Sequence, residues 1–269
     1  MARADDGLMG EGDPSPLDVP GAAPAVLALH GFGGTPLEVE LVVRVAEELG
    51  LRAHAPLLPG HGTHASELAR TGWTDWARGA EEALSLVTRG GRPAIVVGLS
   101  LGSLLAVHLA ATRPAEVLGL GMLANALRLS SPFPTWPLRV VERLGLAGFS
   151  VPKKGADIAD PVARATHLTY RAQPVRSAIE VLNAGPRVEP LLARIRVPAF
   201  IAHGEGDVVC PVGNAHRAAR ALGSTDRTVL LLPRSHHIVT RDLDRDLLRS
   251  ELSRFLRRVA GLPHTPVEP

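Results

Sequence analysis

Apolar positions along this chain fall into short runs rich in branched side chains, separated by longer stretches with helical spacing. Ala25–Leu29, Arg52–Leu57, Ala94–Leu99, Val117–Leu123, Ala199–His203 and Thr228–Leu232 read as strands, most of them apolar at nearly every position. Such runs suit a parallel sheet covered on both faces. Between them the spacing predicts helices over Leu37–Leu49, Trp73–Arg89, Leu101–Arg113, Glu189–Ile195, Pro211–Leu222 and Asp242–Ala260. The boundaries carry their own signals. Thr35 followed by Pro36 suits a helix start, while Gly50 and Pro114 stand just past two helix ends. The alternation predicts an α/β fold, with a mostly parallel central sheet flanked by helices.

The alternation breaks between Leu127 and Pro186. Roughly sixty residues without a convincing strand are too many for a loop in a compact domain. This stretch carries Phe133, Trp136 and Phe149, several prolines and an amphipathic piece over Leu138–Leu146. It reads as a small helical cap inserted after the strand Val117–Leu123; the plainer alternative is a pair of extra surface helices. Residues 1–24, rich in Gly, Pro and Asp, read as an extended and partly mobile lead-in, and 263–269 as a frayed tail. The span 1–269 then forms one domain without internal repeats.

Composition narrows the function classes. With 45% hydrophobic but only 3% aromatic residues, aliphatic side chains must fill the core, Trp73 and Trp76 serving as packing anchors. The net charge is +2 and the arginines are scattered, which argues against a nucleic-acid partner. Lysine occurs only at Lys153 and Lys154. Cys210 is the one cysteine, so no intrachain disulfide forms and a reducing compartment is expected. No apolar run approaches the ~20 residues needed to cross a bilayer. The first residues lack the basic-then-apolar order of a secretion signal. The expectation is a cytoplasmic protein without an integral membrane segment, compatible with transient contact with a lipid surface.

Candidate chemistry gathers where strands end. Gly98-Leu99-Ser100-Leu101-Gly102 lies between a buried strand and a helix, the setting of a nucleophile elbow. The serine at such a corner is strained, and small neighbours are needed where strand and helix backbones crowd. Alone, the pattern also fits an ordinary strand-to-helix loop. His30-Gly31-Phe32-Gly33-Gly34-Thr35-Pro36 is no dinucleotide fingerprint, because Pro36 takes the place of the third glycine and no acidic residue ends the next strand. It suits an anion hole made by a backbone N–H. His61 and His64 lack a clear third ligand and read as a loop device rather than a metal site.

Downstream strand exits hold Gly204-Glu205-Gly206-Asp207 and Ser235-His236-His237. A serine hydroxyl needs an imidazole to take its proton and a carboxylate to fix the imidazole tautomer. The order serine, aspartate, histidine at three exits supplies that set. Asp207, later in its turn than Glu205, is the favoured acid. His236 and His237 remain alternatives, since neighbouring side chains on an extended segment point apart.

With these segments in place, the chain resembles the bacterial carboxylesterase and monoacylglycerol lipase group of the α/β-hydrolase fold. The matching segments are HGFGGTP, PGHGT, GLSLG, HGEGDVVCP and SHHIVT, with the DW of Asp75-Trp76 and the NALRL that opens the cap. Ser103 stands where many relatives carry glycine. The resemblance implies Ser100 as nucleophile, Asp207 as acid, and His237 as base, because Ile238-Val239-Thr240 follows it. It also implies an oxyanion hole from the backbone N–H groups of Phe32 and Leu101. The function expected is hydrolysis of carboxylic esters with a hydrophobic acyl chain through an acyl-enzyme on Ser100, without cofactor or metal. A thioesterase or amide hydrolase on the same groups is the enzymatic alternative; a non-catalytic ligand-binding protein of this fold is the other.

Overall fold

The structure is a computed structural model that describes residues 6–130, 147–153 and 155–263. Seven strands form the central sheet. In chain order they are β2 (Leu17–Val19), β3 (Ala22–Leu29), β4 (Leu51–Ala55), β5 (Ala94–Leu99), β6 (Val117–Leu123), β10 (Ala199–Gly204) and β11 (Arg227–Leu232), and in space β11-β10-β6-β5-β3-β4-β2. All neighbours are parallel except β2, which runs antiparallel along the edge with Asp18 opposite His54. The sheet is therefore mostly parallel, as the strand–helix alternation requires.

Alternate residues of each strand feed two apolar layers. Val26, Ala28, Ile95 and Val97 pack beneath the helices Glu40–Glu48 and Arg245–Val259. Leu27, Leu29 and Val96 face the other side, under Trp73–Val87, Leu101–Thr112 and Gly213–Ala221. Trp76 is fully buried in that layer, while Trp73 sits at its margin against His108. No helix of the described residues is long and apolar enough to cross a membrane.

Several elements differ from the sequence reading. The helix expected over Leu37–Leu49 begins as a 3-10 turn, Pro36–Val39, before the α-helix Glu40–Glu48. The lead-in supplies the edge strand β2 and a two-residue strand, β1 (Leu8–Met9), paired with β8 (Thr169–Tyr170). The 127–186 stretch is not wholly helical. It contributes β7 (Ser150–Pro152) paired antiparallel with β9 (Ala172–Pro174), and the helices Pro161–Thr166 and Val175–Val188. The last helix passes through Pro186, with Val181, Ala184 and Val188 buried against the core. Strands of two or three residues are too short to show a period, so helical spacing dominates the sequence signal there. Phe133, Trp136 and Leu138–Leu146 lie outside the described residues; Phe149 is exposed.

This region is bonded to the loops that follow β3 and β4. Thr169 Oγ1 donates to the Gly33 carbonyl at 3.0 Å, and the Tyr170 hydroxyl to the Gly60 carbonyl at 2.9 Å. Ser177 Oγ donates to Leu68 O at 2.8 Å. The parallel strands thus open at their carboxyl ends into a crevice roofed from this side, the usual place for a site in such a sheet.

Candidate active site

Ser100 stands where β5 ends and the helix Leu101–Thr112 begins, with φ +55° and ψ −114°. Only crowding on both sides holds a non-glycine residue there. A Cβ at Gly98 would lie 2.0 Å from the Gly102 carbonyl oxygen, and one at Gly102 would lie 2.0 Å from that of Leu29. Both glycines are required by contact. The Ser100 N–H is fixed by the Leu123 carbonyl at 2.9 Å. Ser100 is only 6% exposed, because the residues above it close the crevice to a small cavity.

His237 Nε2 lies 3.0 Å from Ser100 Oγ, and its Nδ1 lies 2.8 Å from Asp207 Oδ2. Asp207 Oδ1 accepts the N–H groups of Val209 and Cys210 at 2.8 and 2.7 Å. His203 Nε2 is 3.1 Å from Asp207 Oδ2. Burial alone would raise the Asp207 pKa; the hydrogen bonds from His203 and His237 outweigh it and hold the carboxyl well below the usual range. For His237, burial pushes the pKa down, and the Cys210 and Asp207 groups beside it raise it well above the ordinary histidine value. Cys210, itself pushed up by burial, stays a thiol at neutral pH, so the Asp207 carboxylate carries that effect. Glu205 is exposed and outside this chain of contacts.

Phe32 lines the cavity beside Ser100, and Leu101 follows Ser100 as the first residue of its helix. The Phe32 N–H has no acceptor among the described residues, and the Leu101 N–H opens a helix, where the first donors lack intrahelical partners. Behind Phe32, a buried carboxylate fixes the loop: Glu38 Oε2 accepts the Gly31 N–H at 2.9 Å, and Glu38 Oε1 stands 3.2 Å from His167 Nε2. Burial would raise the Glu38 pKa, but His167, His30 and the Gly31 N–H bring it down to about 2. The sequence reading missed Glu38, which looks like an ordinary acidic residue in a helix's first turn.

It also missed Asp157. Asp157 Oδ2 accepts the Val208 N–H at 3.0 Å, and Oδ1 lies 2.8 Å from His236 Nδ1. Its main-chain carbonyl accepts the N–H groups of His237 and Ile238 at 3.1 and 3.2 Å. One residue thus grips the Asp207 loop and the His237 loop together. Displacing a reacting group by ~1 Å costs about 10²-fold. Asp157→Ala is therefore expected to lower kcat for ester hydrolysis by about 10–10²-fold, with KM within about threefold. Steady-state kinetics check this; an unchanged kcat would leave Asp157 a packing residue.

His61 and His64 part company. His61 is buried edge-on against His30 and Trp76, and burial with His30 drives its pKa down to about 3. His64 is exposed, 3.4 Å from Asp6. Asp207, Cys210 and His237 offer a metal-type donor set within 4.8 Å of one another, but the carboxylate and imidazole are already bonded to each other.

A cavity of about 190 Å³ adjoins Ser100. Phe32, Leu99, Leu129, Val181, Val209 and Ile238 form its apolar wall, and Glu38, Lys153, Asp157, His167 and Gln173 its polar one. A buried, activated hydroxyl beside such a cavity can take up an acyl group.

Comparison with known proteins finds similarity to hydrolases. The family model described as serine aminopeptidase, S33, matches residues 21–244. A thermostable monoacylglycerol lipase of Bacillus sp. (strain H-257) is 28% identical over 240 residues, covering 88% of this chain and 91% of that protein. A carboxylesterase of Bacillus subtilis (strain 168) is 24% identical over 248 residues, covering 91% and 97%. A solved structure described with LipS and LipT, two metagenome-derived lipolytic enzymes, superposes with a TM-score of 0.84 at 29% identity, covering 91% of this chain and 98% of that one. The monoacylglycerol lipase of Paleococcus ferrophilus shares the fold, with a TM-score of 0.73 at 19% identity over 87% and 94%.

Proposed function

Because the chain belongs to the family described as serine aminopeptidase, S33, we propose that it is a serine hydrolase of carboxylic esters with a hydrophobic acyl chain. The observation that carries this reading is the contact chain Asp207–His237–Ser100, at 2.8 and 3.0 Å. Ser100 Oγ attacks the ester carbonyl while His237 Nε2 takes its proton. The oxyanion meets the N–H groups of Phe32 and Leu101, and His237 returns the proton to the departing alcohol. Water, activated by the same imidazole, then releases the acid. General base catalysis of this kind supplies about 10²–10⁴-fold and each oxyanion donor about 3 kcal/mol, enough for an ordinary ester.

The family description names a peptidase, and the charge pattern favours esters over it. An aminopeptidase has to hold the substrate's α-ammonium with a spare carboxylate. Here Glu38, Asp157 and Asp207 are each committed to protein donors. The relatives described as monoacylglycerol lipase and carboxylesterase support the same choice. The stretch 127–186 serves as a cap, a reading supported by Ala178 and Val181 in the cavity wall. The cytoplasm suits the single buried thiol, Cys210.

p-Nitrophenyl esters of increasing acyl length, set against the matching p-nitroanilides and thioesters, test the reaction class. Esters are expected to be turned over much faster than anilides; anilide turnover at a comparable rate would return the assignment to peptidase. In the same assay kcat/KM should rise with pH, because only neutral His237 accepts the serine proton. Its raised pKa places the acid limb above 6.5. A limb at or below that value would exclude a base paired with Asp207.

A further inference from the structure

The polar wall of the cavity beside Ser100 holds a cation that the mechanism above does not use. Lys153 follows β7, and its N–H is pinned by the Arg171 carbonyl at 2.9 Å. Its ammonium donates to Thr169 Oγ1 at 2.7 Å, and that hydroxyl in turn donates a hydrogen bond to Gly33 O at 3.0 Å. One acceptor serves a group with three donors. Among the described residues no carboxylate is paired with it: Glu38 acts on it only through space, its oxygens engaged by Gly31 and facing His167. Burial pulls the Lys153 pKa below the ordinary value, and the Glu38 charge opposes that. Beside it His167 is 4% exposed, and its Nδ1 has no partner among the described residues. A buried polar atom without a partner, such as this Nδ1, is costly unless something in the site pairs with it.

We propose that this wall is a subsite for a carboxylate borne by the substrate, so that the enzyme prefers esters carrying a free acid at the far end of a short chain. Lys153 forms the ion pair, and His167 offers its unpartnered Nδ1 to the same ligand. The cavity's 190 Å³ is below the ~300–1,000 Å³ of ordinary small-ligand pockets, which suits a short chain ending in a charge. Glu38 and Asp157 also line the cavity, but their oxygens face protein donors, whereas the ammonium has Thr169 as its one hydrogen-bond partner among the described residues. The proposal rests on the ester-hydrolase reading and adds to it the polarity of the substrate's second end. The carboxylate reaches the wall from the acyl half or the alcohol half of the ester, and the two sources are separable.

The test compares kcat/KM for the p-nitrophenyl half-ester of adipate with p-nitrophenyl heptanoate, and for p-acetoxybenzoate with p-acetoxybenzamide. In one pair the charged member is expected to be favoured. Lys153→Met should then reduce that charged-to-neutral ratio about tenfold to hundredfold, the range of a lost charge-assisted bond, and Lys153→Arg should restore part of it. A ratio unmoved by Lys153→Met overturns the proposal. Adipate should also raise the melting temperature of the wild-type protein more than adipamide does, a readout that requires neither turnover nor a folded variant. Equal shifts for the two overturn the subsite. Stabilisation by adipate without hydrolysis of any ester would instead keep the subsite and reject the esterase reading.

Discussion

Ser100→Ala is expected to reduce kcat for a p-nitrophenyl ester by roughly 10⁵–10⁶-fold, the scale on which single losses from a serine triad fall. Among the described residues the hydroxyl meets His237 Nε2 at 3.0 Å and the Cys210 thiol beside it, so its removal deletes the nucleophile and little else. The fold should survive. Alanine keeps the Cβ, and therefore the same strain at φ +55°, and the contacts that enforce the corner belong to Gly98 and Gly102 rather than to the hydroxyl. A shift in melting temperature of about 2–4 °C corresponds to ~1 kcal/mol in a chain of this size. Residual turnover should stay above that of water, since the proposed backbone donors, Phe32 and Leu101, remain to polarise the carbonyl. A fluorophosphonate should label the wild type at Ser100 and leave the variant unlabelled. Labelling at another residue, or wild-type turnover in the variant, would remove Ser100 from the proposed mechanism.

The parallel strands were legible because burial on both faces leaves runs such as Ala94–Leu99 apolar at every position. The short antiparallel pieces were not. Asp18 in Leu17–Val19 breaks any apolar run, and that strand exists because Ala53 and Ala55 of β4 offer it an edge. The same contrast holds in the site. Ser100, Asp207 and His237 announce themselves because a parallel sheet brings its strand exits together, so position in the chain is nearly position in space. Asp157 and Lys153 sit in the inserted stretch, and Asp157 meets His236 across 79 residues. No local spacing encodes such a pairing. Glu38 was visible as a residue, but its partner, the Gly31 N–H, becomes apparent only once the loop is folded back over the helix start.

His237→Ala is expected to cost roughly as much as Ser100→Ala, about 10⁵–10⁶-fold in kcat, whereas His236→Ala should cost about tenfold or less. The two residues are adjacent, but each backbone N–H is separately anchored. That of His236 donates to Asp242 Oδ2 at 2.7 Å, and that of His237 to the Asp157 carbonyl at 3.1 Å. The loop therefore cannot slip by one residue to let His236 stand in. The His237 ring is buried between Ser100 and Asp207, while the His236 side chain is 37% exposed and turned to Asp157. Removing His236 takes away one donor of Asp157 and leaves Val208 N–H on its other oxygen, so the grip on the two loops loosens without the base being lost. Contacts that share a partner are not additive. The double variant His236→Ala/Asp157→Ala should thus be no slower than Asp157→Ala alone, within about twofold. A large loss in His236→Ala with activity retained in His237→Ala would move the base to position 236. A double variant much slower than Asp157→Ala would show that His236 reaches the substrate by another route.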